Sequence, residues 1–329
     1  DIRLFIAGLA MSKLHLLQGM SGTGKTSLAR AFAKSINNVT TSDQEKLYCS
    51  MVRVQAGWRD REDLLGHFNA FEKKFYEKEA LQAIYRAQQP QFSDTVQIVL
   101  LDEMNLSQPE QYFAEFLSLM ETPDRSEISL LESPNEKSPR YFSDQRAIKV
   151  PQNVWFVGTA NHDETTKEFA DKTYDRAHVM EIKRSEEKVS AERYQPVSYS
   201  FNSLQERFDV VCQNKGQEIT DIFKKLSGSE LMLALEDIKI GWGNRLESHA
   251  KKFIPVYQAT GGLLSEALDH LLATKLFRAG KVTGRYDTSI KQLQYIESAL
   301  ETSWKELGLE DNPTYSLQLL RDDIQRKEQ

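Results

Sequence analysis

The stretch Gly19-Met20-Ser21-Gly22-Thr23-Gly24-Lys25-Thr26 constrains the fold more than any other part of the chain. It has the spacing Gly-x-x-x-x-Gly-Lys-Thr and follows an apolar run, Lys13-Leu14-His15-Leu16-Leu17-Gln18, that reads as a strand. Behind it, residues 27–35 read as a helix with Leu28, Ala31 and Phe32 on one face. Glycines let such a loop curl until successive backbone N–H groups face one anion, and the helix start adds the positive end of its dipole. A lysine here reaches the outer phosphates of a nucleotide, and the threonine offers a hydroxyl to Mg²⁺. The expected phosphate-binding residues are therefore Gly19, Ser21, Gly22, Thr23, Gly24, Lys25, Thr26 and Ser27.

A phosphate loop alone binds; hydrolysis also needs a carboxylate for the metal and a group that activates water. Val96-Gln97-Ile98-Val99-Leu100-Leu101 is a near-continuous apolar run ending in Asp102-Glu103. Such a run suits a parallel strand buried on both faces, whose carboxyl end is where open α/β sheets place ligands. Asp102 is expected to share Mg²⁺ with Thr26, and Glu103 to polarise the attacking water. Another buried strand, from Asn153, ends in Gly158-Thr159-Ala160-Asn161. The amide of Asn161 can hydrogen-bond both the terminal phosphate and the water without adding charge.

Further strand candidates lie at 47–54 and 178–182, and a helix at 109–120 carries the stripe Tyr112, Phe113, Phe116, Leu117 and Met120. Strands alternating with helices over 1–185 call for a mostly parallel α/β sheet. Residues 127–150 read as a hairpin insertion. Residues 186–229 are polar and poor in core formers, a linker or insertion. From 230 to 329 the pattern is helical, with Ile290, Leu293, Ile296, Leu300, Trp304 and Leu307 at helical steps.

Composition excludes several classes. Among 329 residues, 40% are hydrophobic and 27% charged, which fits a packed globular chain rather than a disordered one. A net charge of −6 argues against a nucleic-acid binder that uses its whole surface, though not against a basic pore. The longest apolar stretch, 4–11, is too short to span a bilayer, so no membrane partner is expected. The two cysteines, Cys49 and Cys212, make no disulfide framework, and a reducing, cytoplasmic setting is expected. None of the six histidines has metal-ligand spacing. The chain opens at Asp1 rather than Met and is expected to belong to something longer.

Taken together, these strings resemble AAA+ ATPases, and more narrowly the McrB-like branch, typified by the motor subunits of modification-dependent restriction systems. The resemblance rests on 19–26, on Leu100-Leu101-Asp102-Glu103-Met104-Asn105, and on Pro151 through Asn161. It continues through His162-Asp163-Glu164-Thr165-Thr166 to Phe169-Ala170-Asp171-Lys172-Thr173-Tyr174-Asp175-Arg176-Ala177. It implies an α/β P-loop core with a parallel five-stranded sheet flanked by helices, followed by a C-terminal helical lid domain.

The resemblance also implies a homo-oligomeric ring, usually hexameric, with ATP sites between neighbours. ATP is expected over GTP, with Mg²⁺. Arg176 matches the arginine that completes a neighbour's site, although the restriction motors carry a run of arginines where this chain has Asp175-Arg176 alone. Arg245, in Gly241-Trp242-Gly243-Asn244-Arg245-Leu246, matches the lid arginine that senses the terminal phosphate; Arg278 and Arg285 are rivals. The implied role is a motor serving a nuclease or other effector in restriction or antiphage defence, with nucleic acid reached through the pore or through domains outside these residues. Two alternatives remain: a nucleotide-gated scaffold with slow turnover, and a protein-remodelling ATPase of the MoxR type.

Overall fold

The structure is a computed structural model and describes residues 1–122, 126–133, 135, 138–161, 167–184, 198–278, 288–309 and 311–328. The chain divides into an α/β unit, Ser12–Gln205, and a helical unit made of Asp1–Met11 with Glu206–Gln329. The opening helix α1 (Ile2–Met11) belongs to the helical unit.

The α/β unit runs β1 (Leu14–Gln18), α2 (Lys25–Ile36), α3 (Ser42–Tyr48), β2 (Cys49–Arg53), α4 (Arg61–Leu65), β3 (Gly66–Asn69) and β4 (Lys74–Glu77). It continues with α5 (Glu79–Ala87), β5 (Gln97–Asp102), α6 (Pro109–Tyr112), α7 (Ala114–Leu119), β6 (Glu127–Ser129), β7 (Phe142–Ser143) and β8 (Ala147–Lys149). It closes with β9 (Val154–Ala160), α8 (Asp171–Arg176) and β10 (His178–Glu181). The main sheet has five parallel strands in the order β10-β1-β9-β5-β2. Central β9 is buried along its whole length, and β5 is buried up to Asp102. That is the burial a continuous apolar run requires, because helices cover both faces of a parallel sheet. Helix α2 packs on β2, β5 and β9, and α5 on β2 and β5. Phe113, Phe116 and Phe156 pack together with ring centroids 4.7–5.1 Å apart.

Register places the chemistry at one edge. Gln18 pairs with Ala160, Arg53 with Asp102, and Leu101 with Gly158, so β1, β5 and β9 end nearly level. The phosphate loop, Asp102-Glu103 and Asn161 therefore all emerge at the carboxyl edge of the sheet.

The helix read at 109–120 is two short helices that meet at Phe113, whose φ of −111° breaks the run. The insertion read at 127–150 is an antiparallel sheet in the order β6-β8-β7, one short strand more than a simple hairpin. A second hairpin, β3–β4, stands where the sequence suggested only loop and helix. Trp58, between β2 and α4, packs edge-on against Tyr112 at 5.3 Å and is a partly buried residue against the core.

In the helical unit, α9 (Phe201–Ser227), α10 (Glu230–Asp237), α11 (Asn244–Ala259), α12 (Leu264–Lys275), α13 (Ile290–Glu306) and α14 (Thr314–Glu328) follow in order, α9 starting within the α/β unit. Helix α1 packs on α11, α10 on α13, and α12 on both α11 and α14. The α13 stripe is buried as its periodicity requires, at Leu293, Ile296, Leu300 and Trp304. From α12, the Asp269 carboxylate accepts the backbone N–H groups of Tyr315 (2.8 Å) and Ser316 (2.9 Å), satisfying donors that the first turn of α14 leaves open. Residues 201–227, part of the expected linker, form one α-helix instead. Its low apolar content reflects a mostly solvated helix that buries Phe208, Ile219, Phe223 and Leu226. Residues 186–197 of the expected linker lie outside the described residues, as do 162–166 and Arg285. No helix among the described residues is long and apolar enough to cross a membrane.

Candidate active site

Gly19 opens the loop in a conformation only glycine adopts easily, with φ +142°. Its position also forbids a side chain: a Cβ there would lie 2.5 Å from the carbonyl oxygen of Ile182, just past β10. Lys25 is buried and folds back over its own loop, donating to the carbonyls of Gly19 (2.9 Å) and Met20 (2.6 Å). Thr23 donates to the same Met20 carbonyl at 3.0 Å. The loop is thus curled, with Lys25 and Thr23 both held against its carbonyls. Burial lowers the pKa of the Lys25 ammonium, while the carboxylates of Asp102 and Glu103 act to raise it. Ser21, Gly22, Gly24 and Ser27 are exposed along the loop and the first turn of α2.

At the end of β5, Asp102 Oδ1 accepts two hydroxyls: Thr26 Oγ1 at 3.0 Å and Thr159 Oγ1 at 2.9 Å. Thr159 in turn accepts the backbone N–H of Glu103 at 2.9 Å. Glu103 is exposed and sits in the left-handed region, φ 54° and ψ 48°, rare for a residue with a side chain. The next turn, Met104–Leu106, is a 3-10 turn closed by Leu106 N–H on the Glu103 carbonyl at 3.0 Å. Asn105 is buried; its side-chain amide donates to the Asn161 backbone carbonyl at 2.8 Å, and its backbone carbonyl accepts Lys167 N–H at 2.9 Å. Thr26, Asp102 and Glu103 are therefore brought together through Thr159, and Asn161 follows the end of β9 with its backbone carbonyl bonded to Asn105.

Arg176 ends α8 and makes an intrachain ion pair with Glu121, while also donating to the Lys172 carbonyl. Its side chain is only 13% exposed. Arg245 lies in the helical unit, in the first turn of α11, and Arg278 lies in the same unit beyond α12. Sequence reasoning gave no role to Thr159 or Asn105. The available signal was a hydroxyl on the strand next to an acidic strand end, with a buried amide one turn on.

Among the described residues, no group of three or more His, Cys, Asp or Glu side chains is arranged to hold a metal. Mg²⁺ needs fewer, since it keeps several waters and takes phosphate oxygens. Two hard oxygens 3.0 Å apart, Thr26 Oγ1 and Asp102 Oδ1, form a donor set that fits it.

Residues 15–177 match the family described as AAA domain (dynein-related subfamily). No curated protein matches the sequence. Among solved structures, a DNA polymerase III gamma subunit-related protein from Thermotoga maritima MSB8 is similar at 10% identity. The match covers 99% of this chain and 98% of that one, with a TM-score of 0.31, too loose a superposition to bear on fold or activity.

Proposed function

We propose that this chain, a P-loop ATPase built on an AAA+ core, hydrolyses Mg-ATP in preference to GTP within a ring of its own copies, and that turnover drives an effector such as a nuclease. One observation carries the chemistry. The Thr26–Asp102–Thr159–Glu103 hydrogen-bond chain sits beside the curled loop and joins a metal-type donor pair to the backbone of a second, exposed carboxylate.

In this reading, the loop N–H groups and the start of α2 hold the phosphates, and Lys25 exchanges the Gly19 and Met20 carbonyls for phosphate oxygens. Thr26 and Asp102 would hold Mg²⁺, which supplies charge neutralisation on the phosphate oxygens. Glu103 orients the attacking water and takes its proton, while the Asn161 amide steadies the terminal phosphate. Arg176 serves the site of a neighbouring copy. The McrB-like strings Asp102-Glu103-Met104-Asn105 and Gly158-Thr159-Ala160-Asn161 support the ring and a role in restriction or antiphage defence.

One observation favours a second reading, the nucleotide-gated scaffold: Arg176 is held by Glu121 of its own chain, which suits slow turnover in an isolated subunit. Turnover measured with and without effector or DNA separates the two. The chemistry is tested by Lys25→Ala and Glu103→Gln. The first is expected to weaken ATP binding by at least about tenfold in a fluorescent-nucleotide titration, since it removes a charge-assisted contact to phosphate. The second is expected to keep that affinity and lose about 100-fold or more in turnover. Unchanged affinity in the first, or normal hydrolysis in the second, overturns the assignment of the altered residue.

A further inference from the structure

Asp102 and Glu103 are consecutive, and in an extended strand consecutive side chains point to opposite faces of the sheet. The left-handed backbone at Glu103 removes it from the strand alternation. Such a conformation is disfavoured for a residue with a Cβ and persists only where its surroundings hold it.

The holding group is identifiable. The last β5–β9 pair is Leu101 with Gly158, so past it the Glu103 N–H has left the ladder. Though the Glu103 side chain is exposed, its N–H is part-buried and outside the ladder, and a donor shielded from water needs another partner. That partner is the Thr159 hydroxyl, at 2.9 Å. A hydroxyl has one hydrogen to give and can also accept. Thr159 gives its hydrogen to Asp102 Oδ1 at 2.9 Å, so one oxygen atom fixes both the Glu103 turn and the Asp102 carboxylate. Thr159 is only 3% exposed and is paired to Leu17 of β1 through its backbone register, so its own position is set by the centre of the sheet. Thr26, from the phosphate loop, reaches the same Asp102 oxygen at 3.0 Å.

We propose that Thr159 is a positioning residue for ATP hydrolysis: its hydroxyl holds Asp102 and the left-handed turn at Glu103 in the mutual geometry that turnover requires. The proposal rests on the reading of Glu103 as the water-orienting carboxylate. Thr159 touches no phosphate in this account; it acts through its two neighbours.

The experiment compares Thr159→Val, which keeps the shape and loses the hydroxyl, with Thr159→Ser, which keeps the hydroxyl and loses the methyl. Thr159→Ala is paired with Ser in case Val does not fold, since those two differ only by the hydroxyl. Steady-state kcat and KM for ATP are measured beside ATP affinity by fluorescent-nucleotide titration and beside thermal melting, with wild type and Lys25→Ala as references. Misplacing catalytic groups by about an ångström costs on the order of 100-fold. The expected result is a 10- to 100-fold loss of kcat in Val and Ala, with affinity within about threefold of wild type, and Ser within about threefold of wild-type kcat. Full kcat in Val, or in Ala should Val not fold, overturns the proposal, and so does an equal loss in Ser and Ala. Should Lys25→Ala hydrolyse as well as wild type, the phosphate-loop reading fails instead. With Lys25→Ala inactive, a wild-type kcat in Glu103→Gln refutes the role given to Glu103, and full turnover in Thr159→Val refutes only the role given to Thr159.

Discussion

Gly158 has no room for even one added carbon. A Cβ there would stand 2.3 Å from Met104 Sδ, 3.1 Å from Met104 Cβ and 3.3 Å from Leu16 Cδ2, and Met104 and Leu16 are both fully buried. Met104 also follows Glu103 directly, so pressure on it is pressure on the turn that carries the proposed water-orienting carboxylate. Gly158→Ala is expected to destabilise the α/β unit by about 1–3 kcal/mol and to lower turnover more than ATP affinity. Urea unfolding with a parallel kcat measurement checks this; an unshifted midpoint would mean that Met104 moves aside freely. The sequence made Lys25, Thr26 and Asp102 legible because their residue types at fixed spacing carry the chemistry directly. Thr159 was not legible, because its role depends on a backbone N–H that becomes available only once β5 and β9 have paired and the ladder has ended.

Element by element, the strands of the main sheet were readable because burial on both faces writes itself as continuous apolar runs. The β3–β4 hairpin was not. Its strands are four residues each and largely exposed, so no apolar alternation marks them. The signal that existed was Gly66, whose Cβ would meet the Tyr76 carbonyl oxygen at 1.9 Å across the pair. Helix α14 holds a pH dependence that no pattern shows. Asp323 has a side chain 2% exposed, an Oδ2 with no hydrogen-bond partner among the described residues, and Arg326 at 3.5 Å. Burial pushes its carboxyl up to about 6 from 3.8, Asp322 adds to the rise, and Arg326 and Lys327 oppose it. A carboxyl raised on folding favours the folded state while protonated; that contribution is complete below the unfolded value and is lost as pH rises through the folded one. Wild type is therefore expected to lose about 2 kcal/mol relative to Asp323→Asn as the pH climbs from about 4 to above 6. Denaturant unfolding of both proteins across that range checks it, and parallel curves would place the titration elsewhere.

For the whole molecule, the decisive question is whether a site on one chain is completed by another. Arg176 is engaged by Glu121 and the Lys172 carbonyl of its own chain, so acting on a neighbour requires that ion pair to break. On the proposed ring, an Arg176→Ala subunit still binds ATP through its own loop, Thr26 and Asp102, yet hydrolyses poorly alone. Lys25→Ala subunits lack a working loop and keep Arg176. Mixing the two creates interfaces that pair an intact loop with an intact arginine. With random 1:1 assembly these are about a quarter of all interfaces, so turnover approaching roughly a quarter of wild type is expected if sites act independently. An arginine acting within its own chain cannot be rescued in this way, because every intact loop would still sit on a chain lacking Arg176. The measurement is ATPase activity of the mixture against each variant alone, with mixed assembly confirmed by differently tagged subunits. Glu121→Gln in the subunit that donates Arg176 should raise the rescue further, since the competing carboxylate charge is gone. Turnover no greater than the mean of the two parents would place Arg176 in its ion pair with Glu121 as a structural residue, and the ring would then need another residue to link neighbouring sites.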